Sequence, residues 1–232
     1  MNNSTDKPKK KRTRSKEEKA QQMEEILNAS LELIKADGFH GFGMRALARH
    51  IGMSQGNLYH YISSKRELWI AVRIKTMRHF KELLEKMAKS SNENTLETLR
   101  TIGNFVFTFA SEDYNRWKLM TVIKPPEPPM KDGQPVVGEI EKNYESTRVL
   151  DVVFEILQGG LNQGELKDLD YKFIGIYLYS VILGITYSEY DLLTDDLIRE
   201  PTTHGDLKFD KNELREFFFT QMDQLLRKKD AK

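Results

Sequence analysis

The chain contains no cysteine, which excludes a disulfide framework, a thiolate zinc or iron–sulfur centre and a cysteine nucleophile, and fits a reducing compartment. It also lacks a hydrophobic run of membrane-spanning length. The longest stretch without a charged side chain runs from Phe173 to Ser188, between Lys172 and Glu189. As a helix it would cover about 24 Å, short of the roughly 30 Å hydrocarbon layer, and Gly175, Ser180 and Gly184 dilute its apolarity, so it reads as a buried helix. Histidines 40, 50, 60, 79 and 204 form no pair at metal-ligand spacing, and neither a metal nor a cofactor is expected. The first twenty residues hold no apolar core, so no secretory signal is expected. Proline is scarce and clustered at 125, 126, 128 and 129, then 135, which marks a loop without regular structure.

What is present is an uneven charge. The net charge of +1 conceals thirteen Lys and Arg against seven Asp and Glu in residues 1–66, and twenty-three against twenty-eight in residues 67–232. A basic N-terminal module on an acidic body suits a head that binds a polyanion and a separate function behind it. Hydrophobic residues at 39% and charged residues at 31% place the chain among globular proteins.

Residues 1–16 are polar and lysine-rich and are expected to be a disordered basic arm. From there the apolar spacing is helical throughout. The pattern predicts helices over 19–37, stopped by Gly38, and over 44–51, broken by Gly52. A third is expected over 55–61 with Ser54 as N-cap, and a fourth over 65–87. Further helices are expected over 95–110, 114–123, 139–158 (closed by Gly159 and Gly160), 170–193 and 211–228 (capped by Asp210). The last is expected to turn Leu214, Phe217, Phe218, Gln221, Met222 and Leu225 inward. No strand-period segment bounded by hairpin turns is evident. The expected fold class is all-α, with about nine helices.

Residues 44–61 have the internal spacing of a helix-turn-helix. Two helices crossing at a wide angle need a small residue where they touch, Ala48, and a residue tolerant of positive φ four positions later, Gly52. The spacing alone also suits an ordinary helical hairpin. The second helix, however, offers Gln55, Asn57, Tyr59, His60 and Tyr61 with no acidic residue, and Gly56 permits close backbone approach; such side chains hydrogen-bond base edges and phosphates. Arg45 and Lys65 open the neighbouring helices, where a cation and helix-end amides can hold phosphate. Gly52-Met53-Ser54-Gln55-Gly56 also satisfies the nucleophile-elbow expression, but that elbow needs a preceding strand and here a helix precedes it. No enzyme is expected.

With "GMSQGNLYHYISSKREL" at its heart, the run Ile26 to Leu68 resembles the N-terminal domain of the TetR family of transcriptional regulators, whose pattern is met at Gly52, Ser54, Gly56, Leu58, Tyr59, Tyr61 and Lys65. The resemblance implies a three-helix DNA-binding domain over 17–66 and a helical ligand-binding and dimerisation domain over 67–232. It implies a homodimer that sets one recognition helix in each of two successive major grooves of a palindromic operator on double-stranded DNA, half-sites about 34–36 Å apart or a multiple of that. Gln55, Gly56, Asn57, Tyr59 and His60 would approach bases or adjacent phosphates, and Arg45, Tyr61 and Lys65 the backbone. Phe42 and Gly43 depart from the family, standing where many relatives carry Thr or Ser to cap the second helix and bind phosphate. The arm with Lys7, Lys9, Lys10, Lys11, Arg12 and Arg14 would reach DNA, with a solubilising tail or a nuclear localisation signal as other readings of "PKKKRTR".

In the rear domain, dimerisation is expected through the 171–193 and 211–228 helices, with Gly175 and Gly184 permitting close approach. The implied effector pocket has Phe105, Phe109, Trp117, Met120, Phe154 and Tyr177 as its candidate residues, a lining for an apolar or aromatic molecule. The expected function is a ligand-responsive regulator, a repressor, cytoplasmic and associated with the nucleoid. A DNA-bound organiser of the nucleoid or of cell division, without an inducer, is the alternative.

Overall fold

The computed structural model describes residues 15–91, 93–193 and 210–228. The arm with Arg12 and Arg14, and most of the polar connection after residue 193, lie outside the described residues. Within them the chain forms ten helices: α1 (Lys16–Gly41), α2 (Met44–His50), α3 (Gln55–Leu58), α4 (Lys65–Ser90), α5 (Thr95–Glu112), α6 (Tyr114–Thr121), α7 (Glu139–Lys142), α8 (Leu150–Asn162), α9 (Tyr171–Leu193) and α10 (Lys211–Leu226). The all-α fold with an N-terminal helix-turn-helix agrees with the sequence expectation.

Helix α1 starts at Lys16, three residues before the expected position, because Ser15 and Glu18 form a capping box: the Ser15 hydroxyl accepts from the Glu18 amide at 3.1 Å and the Glu18 carboxylate from the Ser15 amide at 2.9 Å. Gly38, with φ 67° and ψ 178°, interrupts it at the expected stop, after which helical geometry resumes to Gly41. The side chains of α1–α4 close over a head core built on Ile26, Ile34, Leu47, Leu58, Ile62 and Leu68. Trp69 and Val72 of α4 and Leu119 of α6 also belong to it, so α4 runs from the head into the body without a break.

Several expectations are corrected. The third helix ends at Leu58, not Tyr61; tighter three-residue bonds, His60 to Asn57 and Tyr61 to Leu58, turn the chain toward the Ser64 cap of α4. The loop holds a two-residue hairpin, β1 (Met130–Lys131) paired with β2 (Gln134–Pro135), because Asp132 and Gly133 adopt φ 51° and 77°, the left-handed pair that a tight hairpin needs. The helix expected over 139–158 is two helices, α7 and α8, with Arg148 at φ 47° between them. Gly159 and Gly160 do not end α8. Gly160 instead lets α8 approach α5: a Cβ there would lie 2.5 Å from Thr95 Oγ1, and the chain turns at Gly164, φ 74°.

The inner face of α10 is Phe218, Phe219, Met222 and Leu226, which places Phe217 and Gln221 outside it. Phe217 is 61% exposed. Helix α9 carries no charged residue from Phe173 to Ser188; Leu178 and Ile185 face the body core, whereas Phe173 (74% exposed), Ile176, Tyr177 and Tyr187 line its outer side.

Candidate nucleic-acid interface and interior cavity

Helices α2 and α3 are locked by their turn. Gly52 sits at φ 64°, its amide donates to the Arg49 carbonyl at 3.3 Å and the Met53 amide to the Ala48 carbonyl at 2.8 Å, the paired bonds of a left-handed helix stop. Ala48 is buried at the crossing. Ser54 caps α3 by accepting the Asn57 amide at 3.2 Å. Fully buried Leu58 fixes the rotation of α3 about its axis. That rotation leaves Gln55, Gly56 and His60 exposed, Tyr59 45% exposed, and Asn57 and Tyr61 half-buried. On α2, Arg45 is exposed; Gly43 caps that helix without a side-chain hydrogen bond and Phe42 is buried in the head core. Lys65 is half-buried, its ammonium 5.0 Å from the Phe39 ring centroid.

Immediately behind α3, the start of α4 is clamped by the body. Glu67, only 3% exposed, accepts the Ser63 amide at 2.7 Å and hydroxyl at 2.5 Å on one oxygen, and the Ile140 amide of α7 at 2.8 Å on the other. Gly138 permits this approach, since a Cβ there would lie 2.1 Å from the Glu67 carboxyl carbon. Arg66 forms a two-pronged bond to Glu141 at 2.6–3.0 Å and donates to the Pro126 carbonyl at 2.6 Å. The bonds to Glu141 raise the Arg66 pKa above its already high ordinary value. A second connection runs through α6, where Asn115 donates to the Lys35 carbonyl of α1 at 3.3 Å. The contacts of this clamp that cross from head to body were not singled out by spacing, because each joins distant parts of the chain.

The body holds a partly open cavity of about 330 Å³. Its wall takes Met77 and Phe80 from α4, Ile102 and Val106 from α5, Trp117, Met120 and Thr121 from α6, Val149 and Leu150 at the start of α8, Leu178, Tyr179 and Ile182 from α9, and Phe218 and Met222 from α10. Of the six residues expected to line a pocket, Trp117 and Met120 do so. Trp117 is fixed by its Nε1–H donating to Thr186 at 3.0 Å. Phe105 and Phe109 stand outside the lining, against Phe80 at ring-centroid distances of 5.6 and 4.9 Å. Phe154 packs into the notch that Gly175 leaves, where its ring would be 2.6 Å from a Cβ. Tyr177 points to the outer face of α9. Of the polar residues in the wall that escaped the aromatic reading, Arg73 and Tyr179 come from the middles of α4 and α9. Arg73 donates Nη2 to the Met120 carbonyl at 2.9 Å and lies 5.3 Å from the Trp69 ring centroid, while its buried Nε has no partner. Burial pushes the Tyr179 phenol up, opposed by the Arg73 cation.

Among the described residues no group of three or more His, Asp or Glu could hold a metal ion, and no helix is long and apolar enough to cross a membrane.

The geometry agrees with what the chain is similar to. Residues 26–72 match the family model of bacterial regulatory proteins, tetR family. The fatty acid metabolism regulator protein of Bacillus subtilis is 25% identical over 144 residues, 62% of this chain and 70% of the relative. The HTH-type transcriptional regulator UidR of Escherichia coli is 26% identical over 181 residues, 75% of this chain and 83% of the relative. The structure of the transcriptional regulator FadR from Bacillus subtilis, in complex with stearoyl-CoA, superposes with a TM-score of 0.60 at 18% identity, covering 86% of this chain and 97% of that one.

Proposed function

The chain belongs to the TetR family of transcriptional regulators, and from that membership we propose that it is a repressor that binds a palindromic operator as a homodimer and is released by a small effector with a largely apolar body. The observation that carries this reading is the division of labour along α4. Its first turn is clamped behind an outward-facing α3, and its middle supplies Met77 and Phe80 to the cavity wall. Helix α6 repeats the arrangement, with Leu119 in the head core and Trp117 and Met120 in the cavity. An effector that favours one setting of these helices changes the separation of the two heads, and only its differential affinity for the two settings shifts the population.

The outer side of α9 with Phe217 of α10 supports a two-fold dimer, since exposed apolar residues clustered on one side of a helix pair mark an interaction surface. The cavity favours a ligand-responsive regulator over a DNA-bound organiser without an inducer. A relative that binds stearoyl-CoA, a molecule with a long apolar tail, supports an effector of that character. We place the protein at the nucleoid of the cytoplasm.

Selection of genomic fragments on the purified protein, followed by footprinting, tests the proposal. A discrete palindrome with half-sites one helical turn apart, or a multiple, is expected. Sequence-independent protection along the DNA would overturn it, and many dispersed sites insensitive to every apolar compound would point to the organiser.

A further inference from the structure

Resting on the reading of the cavity as the effector site, we infer that its ligand is an amphiphilic anion, an apolar body ending in a carboxylate, and that Arg73 is the residue that selects it. The cavity wall is otherwise mostly apolar, with Met77, Phe80, Val106, Trp117 and Leu178 presenting no charge, and its other cation, Arg148, is already paired with Asp151 at 2.8 Å. Into this lining α4 projects a guanidinium. Arg73 is half-buried, forms no ion pair with any described residue, and has a buried Nε without a hydrogen-bond partner. Its two identified contacts leave the charge uncompensated. The Met120 carbonyl at 2.9 Å accepts one proton of Nη2, and the Trp69 ring, 5.3 Å from the guanidinium carbon, covers its face.

A cation partly withdrawn from water without a counter-ion is costly, and the cost falls when an anion with two acceptor oxygens meets the planar fork. Contrast Arg66 and Arg215 in the same protein, each paired to a carboxylate at hydrogen-bond distance, Glu141 and Glu189. Tyr179 lines the same cavity, and its phenol, protonated at neutral pH like any tyrosine, can donate a second bond to the same carboxylate. The apolar body then lies along the wall formed by α4, α5 and α6. A cationic ligand would meet Arg73 as a like charge in a low-dielectric site and is excluded.

The chain has two tryptophans, one in the cavity wall and one stacked on Arg73, so intrinsic fluorescence reports on binding. Full-length protein is titrated with n-decanoate, n-decanol and decyltrimethylammonium below their micelle concentrations, and operator displacement is followed in parallel. The acid is expected to bind about tenfold to hundredfold more tightly than the alcohol, as a charge-assisted hydrogen bond in such a site implies, and the ammonium least tightly. Arg73→Met should bring the ratio of acid to alcohol affinity to about one, and Arg73→Lys should keep part of the preference. Equal binding of acid and alcohol, tighter binding of the ammonium, or a preference that survives Arg73→Met would overturn the inference. If acid and alcohol displace the operator equally well, the effector cavity stands and only the anion is refuted. If none of the three binds, both fall. Should Arg73→Met not fold, the three-ligand comparison on the native protein still decides.

Discussion

Replacing Glu67 removes one of the acceptors that tie the DNA-binding head to the body. Its two oxygens take three hydrogen bonds, two from Ser63 and one from the Ile140 amide, and the side chain is almost wholly buried. In Glu67→Gln one oxygen can still accept from Ile140, but an NH2 group then faces the Ser63 amide, donor against donor. One charge-assisted bond is lost and one partly buried amide is left unmatched, which costs about 1.5–3 kcal/mol. In Glu67→Ala both backbone amides lose their acceptor, and the cost rises to roughly 3–6 kcal/mol. Urea unfolding at fixed protein concentration reads these values as a lower midpoint with unchanged slope. Hydrogen exchange places them: the amides of Ser63 and Ile140 should lose protection in both variants, while those of α9 change only with global stability. Regulation should suffer as well, with effector-driven loss of operator affinity smaller in Glu67→Gln than in the native protein. A Glu67→Ala variant within about 0.5 kcal/mol of the native protein, with Ile140 still protected, would refute the argument.

Three further outcomes are expected. Phe173→Glu combined with Phe217→Glu puts charge on the outer side of α9 and α10 and should give a folded monomer in analytical ultracentrifugation; an intact dimer would move the interface elsewhere. Glu165 accepts hydrogen bonds from Thr95, which depresses its pKa. Its stabilising contribution is therefore present above its unfolded pKa and lost as pH falls through the lower folded value. Thermal melts below the usual carboxylate range should consequently lose less stability per pH unit in Glu165→Gln than in the native protein, and identical acid limbs would contradict this. Deleting residues 1–14 should weaken operator binding and lower the magnitude of the salt slope by about one for each arm cation that meets a phosphate; an unchanged slope would leave the arm uninvolved.

The helix-turn-helix was legible because its constraints are local. Gly52 must take a positive φ, Ser54 must cap, and Leu58 must be buried, all within seven residues, so spacing and residue type define the motif without reference to the rest of the chain. The Asp132-Gly133 hairpin was equally local but was hidden by the surrounding prolines. In α10 the run Phe217, Phe218 and Phe219 spans more than half the helix circumference, so periodicity could not choose between neighbouring faces. Gly159 and Gly160 resemble a helix stop, yet Gly160 answers to Thr95 of α5, which only the tertiary packing brings close. The same holds for the head–body clamp, where Glu67 meets Ile140 seventy-three positions along the chain. Arg73 could not be recognised as a cavity residue, because a cation on a long amphipathic helix reads as solvated until α6 and α9 are seen to close around it.

In the proposed function α3 is turned outward and Tyr59, the residue at its C-terminal cap, meets base edges. The affinity of full-length Tyr59→Ala for the selected operator, compared with the native protein at the same salt concentration, tests it most directly. Lost contacts of about 1–3 kcal/mol each, one per half-site, predict binding at least about thirtyfold weaker, with circular dichroism and dimer mass unchanged. Native affinity in a variant that remains folded and dimeric would contradict the account.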